Sequence, residues 1–184
     1  MSIFSIELLD NEPDLQNFTC GVPSVDKMVK KSYFQHILLK TRVYKITFSE
    51  YTVGYFQISF RNVDMAGSDI LFADDGDSED ETRRYGVLHV DFLAVQEELQ
   101  HKGLGTATLT YILNESRELR KKWPIRLVLI DALYDKAEWY QKHGFGYVKE
   151  NQKDSDYGTV EMYFELMTEE EMSTVTKFFE KFEE

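Results

Sequence analysis

The sequence is short of several kinds of residue, and each shortage narrows what the protein can be. Cys20 is the only cysteine among 184 residues, which excludes an intramolecular disulfide and predicts a reducing, cytoplasmic location. No apolar run approaches the ~18 residues that a membrane span needs, so we expect no membrane partner. The N-terminus, MSIFSIELLDNEPD, lacks the basic region of a signal peptide, so none is expected.

Positive charge is also scarce. The chain has 21 lysines and arginines against 33 aspartates and glutamates, a net charge of −12, which repels phosphate backbones and attracts cations. A nucleic-acid partner therefore needs a local basic patch, and basic residues do cluster at Lys30 and Lys31 and within Arg117–Lys122. Because charges on helix surfaces are usually solvated, we expect no nucleic-acid partner, with tRNA left open as an alternative.

What is present suits one folded domain over residues 1–184. Hydrophobic residues form 42% of the chain, enough for a sizeable core. Strands and helices alternate in the order β-α-β-β-loop-β-α-β-α-β-β-α, which predicts an α/β (α+β) fold with a mixed sheet covered by helices. We expect residues 63–85, with the acidic run DDGDSEDE, to form a mobile loop. Residues 168–184 are predicted to form a C-terminal helix, opened by a capping box of Thr168 and Glu171.

Periodicity places the other elements. A helix is predicted from Ser24, as its cap, to about Leu39. TRVYKITF and TVGYFQISF are expected to pair as a hairpin, and VLHVDFLAV and IRLVLIDAL to form buried strands. A second helix is expected from Leu104 to about Lys122, and YDKAEWYQKH forms a short helix that Gly144 ends. The stripe predicted to bury the first helix is Val25, Met28, Val29, Tyr33 and Ile37.

The segment QHKGLGT, Gln100–Thr106, joins the strand VLHVDFLAV to the second helix. A P-loop carries lysine where Thr106 follows the last glycine, and a dinucleotide-binding loop carries a third glycine or alanine where Thr108 stands. Two interpretations are left. Gly103 and Gly105 either let backbone amides point at a pyrophosphate beside a helix N-terminus, or they form an ordinary strand-to-helix turn.

The surroundings of this loop resemble the GNAT family of N-acetyltransferases. LHVDFLAVQEELQHKGLGTATL is similar to the family's acyl-CoA-binding motif, Gln/Arg-x-x-Gly-x-Gly/Ala after a Leu-Ala-Val run, with Gln100, Gly103 and Gly105 in the hallmark positions. KAEWYQKHGFGYV matches a second motif, A-x-x-aromatic-Tyr-x-x-x-Gly-Phe. The resemblance covers about Leu88 to Val148. It implies a mixed, mostly antiparallel sheet with splayed central strands and helices on both faces.

By this resemblance the anion is the pyrophosphate of acetyl-CoA, and no metal is expected. The pantetheine arm is expected between the splayed strands, paired like an added strand with Leu93 and Val95. A backbone amide near Leu93 is expected to meet the oxyanion. The residues implied in binding acetyl-CoA are Leu93, Ala94, Val95, Gln100, His101, Lys102, Gly103, Leu104, Gly105, Thr106, Lys136 and Tyr140.

The resemblance also suggests catalytic groups for direct transfer to an amine. An amine of pKa ~10 must lose a proton before it attacks. The family's base position corresponds to His89, which is either that base or a packed strand histidine. Asp91 shares its face and either positions His89, binds the amine or faces solvent. Tyr140 either donates a proton to the leaving thiolate or packs its ring in the core.

Other candidate chemistry is weaker. His36, His101 and His143 lack partners at metal-ligand spacing, and DDGDSEDE lacks the register of a calcium loop. If that acidic run lies near the acceptor cleft, it is expected to attract cations. No paired base is evident for Cys20 as a nucleophile.

Three hypotheses for the function remain open, and they differ in the acceptor. LQNFTCGVPSVDKMVKK and IDALYDKAEWYQKHGF resemble segments of acetyltransferase toxins that act on aminoacyl-tRNA. The net charge nevertheless favours a cationic primary amine of a small molecule or protein as the first hypothesis, with aminoacyl-tRNA second. The third hypothesis is a non-catalytic acyl-CoA binder. Pairing of two copies through a sheet edge or C-terminal element is a further expectation.

Overall fold

The computed structural model of the protein describes residues 4–10, 15–65, 68, 70, 84–149 and 158–180. Within them the elements follow the predicted order, and the predicted strand Ile125–Leu133 is confirmed to the residue. The strands are β1 (Phe4–Leu8), β2 (Arg42–Phe48), β3 (Tyr51–Asp64), β4 (Arg84–Val95), β5 (Ile125–Leu133), β6 (Gly146–Tyr147) and β7 (Thr159–Glu165). The helices are α1 (Pro23–Ile37), α2 (Leu104–Arg120), α3 (Ala137–Gln141) and α4 (Glu169–Glu180).

The described strands form one sheet in the order β1-β2-β3-β4-β5-β7-β6. Only β4 and β5 run parallel, and the other neighbours are antiparallel. The ladder between β4 and β5 ends at Val90 and Ile130, although β4 continues to Val95 and β5 to Leu133. The two central strands therefore part at their carboxyl ends, which confirms the predicted splayed, mostly antiparallel sheet.

A β-bulge in β4 lies where the central strands part. Gln57 of β3 pairs with Phe92 and Ile58 pairs with Val90, so Asp91 is an extra residue without a partner in this register. A bulge bends its strand and changes which side chains share a face. The local bend of β4 at Asp91 is consistent with its departure from β5.

Side chains on either side of the bulge show the change of face. Before it, Leu88 and Val90 pack in the cluster that contains the buried residues of α2, and after it Leu93 packs there. Phe92 and Ala94 pack instead in the cluster of α1. Regular alternation would have put Phe92 on the α2 face with Val90, so the bulge shifts the alternation by one residue.

Helices cover both faces of the sheet, as predicted. Leu109 and Ile112 of α2 are buried on one face, and Val29 of α1 is buried on the other. Each such side chain contributes ~1.5–3 kcal/mol when it leaves water, so each helix is held by its apolar face. No helix in the described part of the chain is long and apolar enough to cross a membrane.

The start of α1 differs from the prediction. Val22 occupies the N-cap position without a side-chain cap and Pro23 lies in the first turn, so the prediction that Ser24 caps the helix is wrong. Proline suits the first turn because its φ is already helical and its missing N–H needs no partner. Instead, the carboxylate of Asp26 accepts the backbone N–H of Cys20 at 2.8 Å.

The apolar stripe predicted for α1 is partly wrong. Val29 is fully buried, but Met28 is 43% and Ile37 is 53% exposed. His36 is buried in their place, because its Nδ1 accepts the backbone N–H of Val43 at 3.1 Å. A polar side chain with its hydrogen bond made is tolerated in a core, and hydrophobic periodicity alone does not reveal it.

The boundaries predicted for the loop at 63–85 are too wide. β3 continues to Asp64 and β4 begins at Arg84. Met65 and Ile70 are 2% and 4% exposed, packed in a cluster with Val87 of β4. The acidic run at 74–81 lies outside the described residues.

The predicted capping box of the C-terminal helix is confirmed. The N–H of Thr168 donates to Glu171 Oε2 at 2.8 Å, and the N–H of Glu171 donates to Thr168 Oγ1 at 3.2 Å. Arg120 of α2 bonds both the Glu171 carboxylate and the Leu166 carbonyl, which ties α4 to α2. The side chains beyond Phe178 lie outside the described part of the chain.

Candidate active site

The glycine loop ends in the left-handed conformation that its sequence suggests. Gly103 has φ +83° and occupies the N-cap of α2, a conformation that favours glycine. The first hydrogen bond back to this cap is donated by Ala107 to the Gly103 carbonyl at 3.0 Å. The amides of Leu104, Gly105 and Thr106 precede it and are orphan donors of the helix start. The loop can therefore present backbone N–H groups to an anion.

Gln100 holds this loop in place through its side chain. Its Nε2 donates to the carbonyl of Cys20 at 2.8 Å and to the carbonyl of Val95 at 3.0 Å. Both amide hydrogens are used in this way, so they connect the end of β4 to the segment before α1. Binding of the anion by Gln100 stays a prediction, and within the fold its side-chain donors serve the loop.

The other residues expected to bind acetyl-CoA surround the opening between β4 and β5. Leu93, Ala94 and Val95 lie on the part of β4 beyond the ladder with β5. A Cβ added at Gly105 would lie 3.7 Å from the Trp139 ring, so the start of α2 contacts α3. Five of the residues expected to bind acetyl-CoA are exposed to solvent: His101, Lys102, Gly103, Thr106 and Lys136.

Tyr140 of α3 is 7% exposed. Its ring packs edge-on against Trp139 and Phe145, with centroids 4.7 and 5.5 Å apart. It belongs to the same buried cluster as Val90 and Ile130, the last paired residues of the central strands. Burial raises the pKa of Tyr140 above its ordinary range, so the phenol is neutral at pH 7 and its hydroxyl is able to donate.

His89 lies between two carboxylates. Its side chain is 4% exposed, with Nδ1 3.0 Å from Asp91 Oδ1 and Nε2 3.4 Å from Asp131 Oδ2. Because a carboxylate only accepts, the shorter contact assigns a hydrogen to Nδ1. In the imidazolium Nε2 also carries a hydrogen and donates it toward Asp131, and in the neutral imidazole the lone pair of Nε2 lies on that side. This is the orientation that a base needs when another group fixes its tautomer.

Burial disfavours the charged form of His89 and alone would lower its pKa. Hydrogen bonds to Asp131 and Asp91 outweigh burial, so the pKa of His89 lies above its ordinary value. The positive charge of Arg61 opposes this increase. His89 therefore keeps its positive charge to a higher pH than a free histidine does.

Asp91 is held by four side chains. It accepts Gln57 Nε2 and Ser59 Oγ at 3.0 Å each, as well as the Arg61 guanidinium and His89. Its side chain is 6% exposed, so a solvent-facing role is wrong. Burial alone would raise the pKa of Asp91, but the hydrogen bonds of His89 and Gln57 and the charges of His89 and Arg61 lower it. Asp91 is thus an ionised, fixed partner of His89.

Asp131 and Glu161 complete this network on the neighbouring strands. Asp131 follows the last β5 residue of the ladder with β4, is 53% exposed, and pairs with Glu161 of β7. Its hydrogen bond with His89 lowers the pKa of Asp131. Burial, and then the charge of Asp131, raise the pKa of Glu161.

Sequence patterns did not identify five members of this network. One signal was available, because Asp131 is the single charged residue in the last seven of IRLVLIDAL. Gln57, Ser59 and Arg61 lie at alternate positions of β3 and so share a face, but nothing local indicates that the face meets Asp91. The fifth is Glu161.

Basic side chains are used differently at the two predicted clusters. At the end of α2, Lys121 pairs with Glu118 at 2.6 Å, and the Arg117 guanidinium lies 5.3 Å from the centre of the Phe164 ring. Arg120 is bound to α4, as described above. On α1, by contrast, a shallow surface depression is lined by Pro23, Asp26, Lys27, Lys30 and Lys31.

The other candidate side chains, a histidine and the cysteine, make contacts that support the fold. His143 Nδ1 donates to the Trp139 carbonyl at 2.7 Å and so caps α3. Burial, followed by a hydrogen bond with Asp26, raises the pKa of Cys20 to about 11, which disfavours the thiolate. Within the described ranges, no three His, Cys, Asp or Glu side chains are grouped to hold a metal ion.

Comparison with known proteins identifies this arrangement. The sequence model of the acetyltransferase (GNAT) domain matches residues 61–146, from Arg61 of the network to the segment after Tyr140. Residues 61–146 are thus identified as a GNAT acetyltransferase domain. The chain accordingly carries the domain of an acyltransferase, and the resemblance to this family, first seen in two motifs, is confirmed. No curated protein sequence matches the chain.

Solved structures share the fold of this chain over nearly its whole length. A structure described as a bacterial toxin has a TM-score of 0.72 at 17% identity, covering 96% of this chain and 97% of its own. AtaT complexed with acetyl-methionyl-tRNAfMet has a TM-score of 0.70 at 18% identity, covering 96% and 99%. A tyrosine-to-phenylalanine mutant of AtaT, bound to acetyl-CoA and the C-terminus of the antitoxin AtaR, has a TM-score of 0.66 at 19% identity, covering 89% and 94%.

Proposed function

We propose that this enzyme transfers the acetyl group of acetyl-CoA directly to the α-amine of an aminoacyl ester, with aminoacyl-tRNA as the acceptor. The observation that carries the proposal is the Asp91–His89 pair. The second imidazole nitrogen, Nε2, lies 3.4 Å from Asp131 Oδ2, at the point where the central strands part. The likeness to AtaT complexed with acetyl-methionyl-tRNAfMet supports the choice of acceptor.

The acetyl-CoA side of the proposal rests on backbone geometry. The amides of Leu104, Gly105 and Thr106, beside the left-handed Gly103, suit a pyrophosphate. The backbone of Leu93–Val95 lies beyond the ladder with β5 and suits an extended pantetheine arm. An amide near Leu93 is proposed to donate to the oxyanion as the thioester carbon becomes tetrahedral.

His89 is proposed to remove the first proton of the acceptor's ammonium group. A free α-ammonium has a pKa of ~7.7–8.0 and a lysine ammonium ~10.4, against ~6.5 for histidine. At about 1.4 kcal/mol per unit, the proton transfer costs about 2 kcal/mol from the α-amine and about 5 kcal/mol from lysine. The raised pKa of His89 narrows both gaps. An α-amine acceptor therefore suits this base better.

Tyr140 is proposed as the proton donor to the leaving group. The amine nitrogen attacks the thioester carbon, the C–N bond forms and the C–S bond breaks. The thiolate takes the hydroxyl proton of Tyr140, and the second proton of the amine nitrogen restores the phenol. The buried ring fixes the phenol and keeps it protonated until that step.

Binding of tRNA to a chain of net charge −12 needs a local basic surface. Lys27, Lys30 and Lys31 line one depression of α1 and supply a candidate for it. The second candidate function is acetylation of a cationic small-molecule or protein amine, which the half-exposed Asp131 favours.

Acetyl-CoA turnover with four acceptors tests the proposal. We expect transfer to methionyl-tRNA and to methionine methyl ester, and little to spermidine or a lysine peptide. Preferred acetylation of spermidine or the lysine peptide would contradict the aminoacyl acceptor. Thermal stabilisation by acetyl-CoA, without transfer to any of the four, would also contradict it.

A further inference from the structure

We propose that Asp131 and Glu161 form the subsite that receives the acceptor's ammonium group and presents it to Nε2 of His89. This inference rests on the proposed amine acceptor and names the residues that select it. Asp131 and Glu161 lie opposite each other on β5 and β7. Asp131 contacts the imidazole and is half exposed at the opening between the central strands.

The charges around the two carboxylates leave room for a cation. Like charges directly opposite each other on neighbouring strands destabilise a sheet, yet Asp131 faces Glu161. The cation nearest to Asp91, Arg61, is already bonded to it. Lys149 and protonated His89 act on Glu161 only through their charge. Neutral His89, the form that accepts a proton, supplies no positive charge. An ammonium ion placed between the two carboxylates would remove their repulsion.

A second observation within the network also calls for a donor. Gln57 is 5% exposed, and its Nε2 is committed to Asp91. Its Oε1 is buried and has no hydrogen-bond partner among the described residues. A buried acceptor without a partner is unfavourable. An ammonium group has three hydrogens to donate and accepts no hydrogen bond. Such a donor, or a water molecule that it orders, matches this surplus of acceptors.

In this arrangement each hydrogen of the ammonium group has an acceptor. Two N–H groups donate to Asp131 and Glu161, and the third is directed at Nε2 of His89. Transfer of that proton to Nε2 frees the nitrogen lone pair while the carboxylates keep hold of the amine. The proton then leaves His89 for solvent, so no further reactant is required.

Asp131→Asn and Glu161→Gln test the subsite in the full-length protein, with methionine methyl ester as the probe. Each change removes one negative charge and keeps the shape of the side chain. We expect KM for the ester to rise about tenfold or more, as for loss of a charged hydrogen bond, with KM for acetyl-CoA unchanged. Glu118→Gln removes the same charge at an exposed position of α2 and is expected to leave both constants unchanged.

The pH dependence separates ammonium binding from a structural effect. The charged groups that face the subsite are Arg61 of β3, His89 and Asp91 of β4, and Lys149 after β6. As pH rises from 7 to 9, the ester loses its own charge, so the difference in KM between Asp131→Asn and the wild type should shrink. An unchanged KM, or parallel rises for ester and acetyl-CoA, would overturn the proposal.

A binding measurement keeps this test independent of catalysis. With wild-type protein, methionine methyl ester should raise the melting temperature, and the same ester without its amino group should not. Asp131→Asn should lose that stabilisation. If the wild type stabilises with the ester and yet acetylates no amine, the proposed function fails and the subsite survives. Equal stabilisation by both esters overturns the subsite.

Discussion

Tyr140 and His89 are both buried, yet their surroundings have opposite effects on their charge. Around Tyr140 only apolar burial acts, and it keeps the phenol neutral. Around His89 two carboxylates outweigh burial and favour the imidazolium. Tyr140 is therefore suited to hold a proton until it is needed, and His89 to accept a proton more readily than a free histidine does.

Replacing Tyr140 with phenylalanine tests the first of these roles. Tyr140→Phe keeps the ring contacts with Trp139 and Phe145, so we expect an almost unchanged melting temperature. Loss of the hydroxyl should lower kcat about 10²- to 10⁴-fold, as for other general acids. An unchanged kcat in steady-state turnover would show that Tyr140 is only a core residue.

The pH dependence of activity tests the second role. Because catalysis needs neutral His89, kcat/KM should rise with pH through a pKa above the ordinary ~6.5, in line with its raised value. His89→Gln should abolish this limb and lower kcat/KM. A pH profile that is the same in His89→Gln and in the wild type would contradict the base assignment.

The difference in stability between the wild type and His89→Gln should change with pH in a defined direction. A raised folded pKa contributes stability that is fully present below the unfolded pKa and is lost as pH rises through the folded value. The difference in unfolding free energy between wild type and His89→Gln, from urea titration, should therefore be larger at pH 6 than at pH 8.

At the scale of elements, the bulge at Asp91 and the left-handed Gly103 create the site. The bulge brings Asp91 beside His89 as β4 leaves β5, and Gly103 turns the chain into α2. Sequence patterns located Gly103, because a loop between a strand and a helix has local signals. They did not locate the bulge, because it is defined by pairing with β3, more than thirty residues away in the sequence.

Two neighbouring glycines allow a matched comparison. Gly103→Ala places a Cβ at φ +83° and should lower the unfolding free energy by about 1 kcal/mol. In Gly105→Ala the new Cβ lies 3.7 Å from the Trp139 ring, an ordinary contact, and a helical position favours alanine over glycine. Equal losses for both variants in urea unfolding would contradict this role for Gly103.

At the scale of the whole molecule, the sequence predicted the sheet and the two family motifs better than the network around His89. The apolar strand Ile125–Leu133 and the two motifs are local, and the structure and the family match agree with them. The acceptor network draws on β3, β4, β5 and β7. Because its members are brought together only by the pairing of strands in the sheet, no local sequence pattern predicts them.

The net charge of −12 favours small cations, whereas the acceptor proposed above is an aminoacyl-tRNA. The two agree only if the basic depression of α1 offsets the overall repulsion. In that case, acetylation of charged tRNA should fall steeply with salt, whereas acetylation of the methyl ester should change little.

The most direct test is mass spectrometry of the aminoacyl group after incubating methionyl-tRNA with the enzyme and acetyl-CoA. The account predicts acetylation of the α-amine by wild type and a large loss of it in Tyr140→Phe. Methionyl-tRNA that stays unmodified while a polyamine or lysine peptide is acetylated under the same conditions would contradict it.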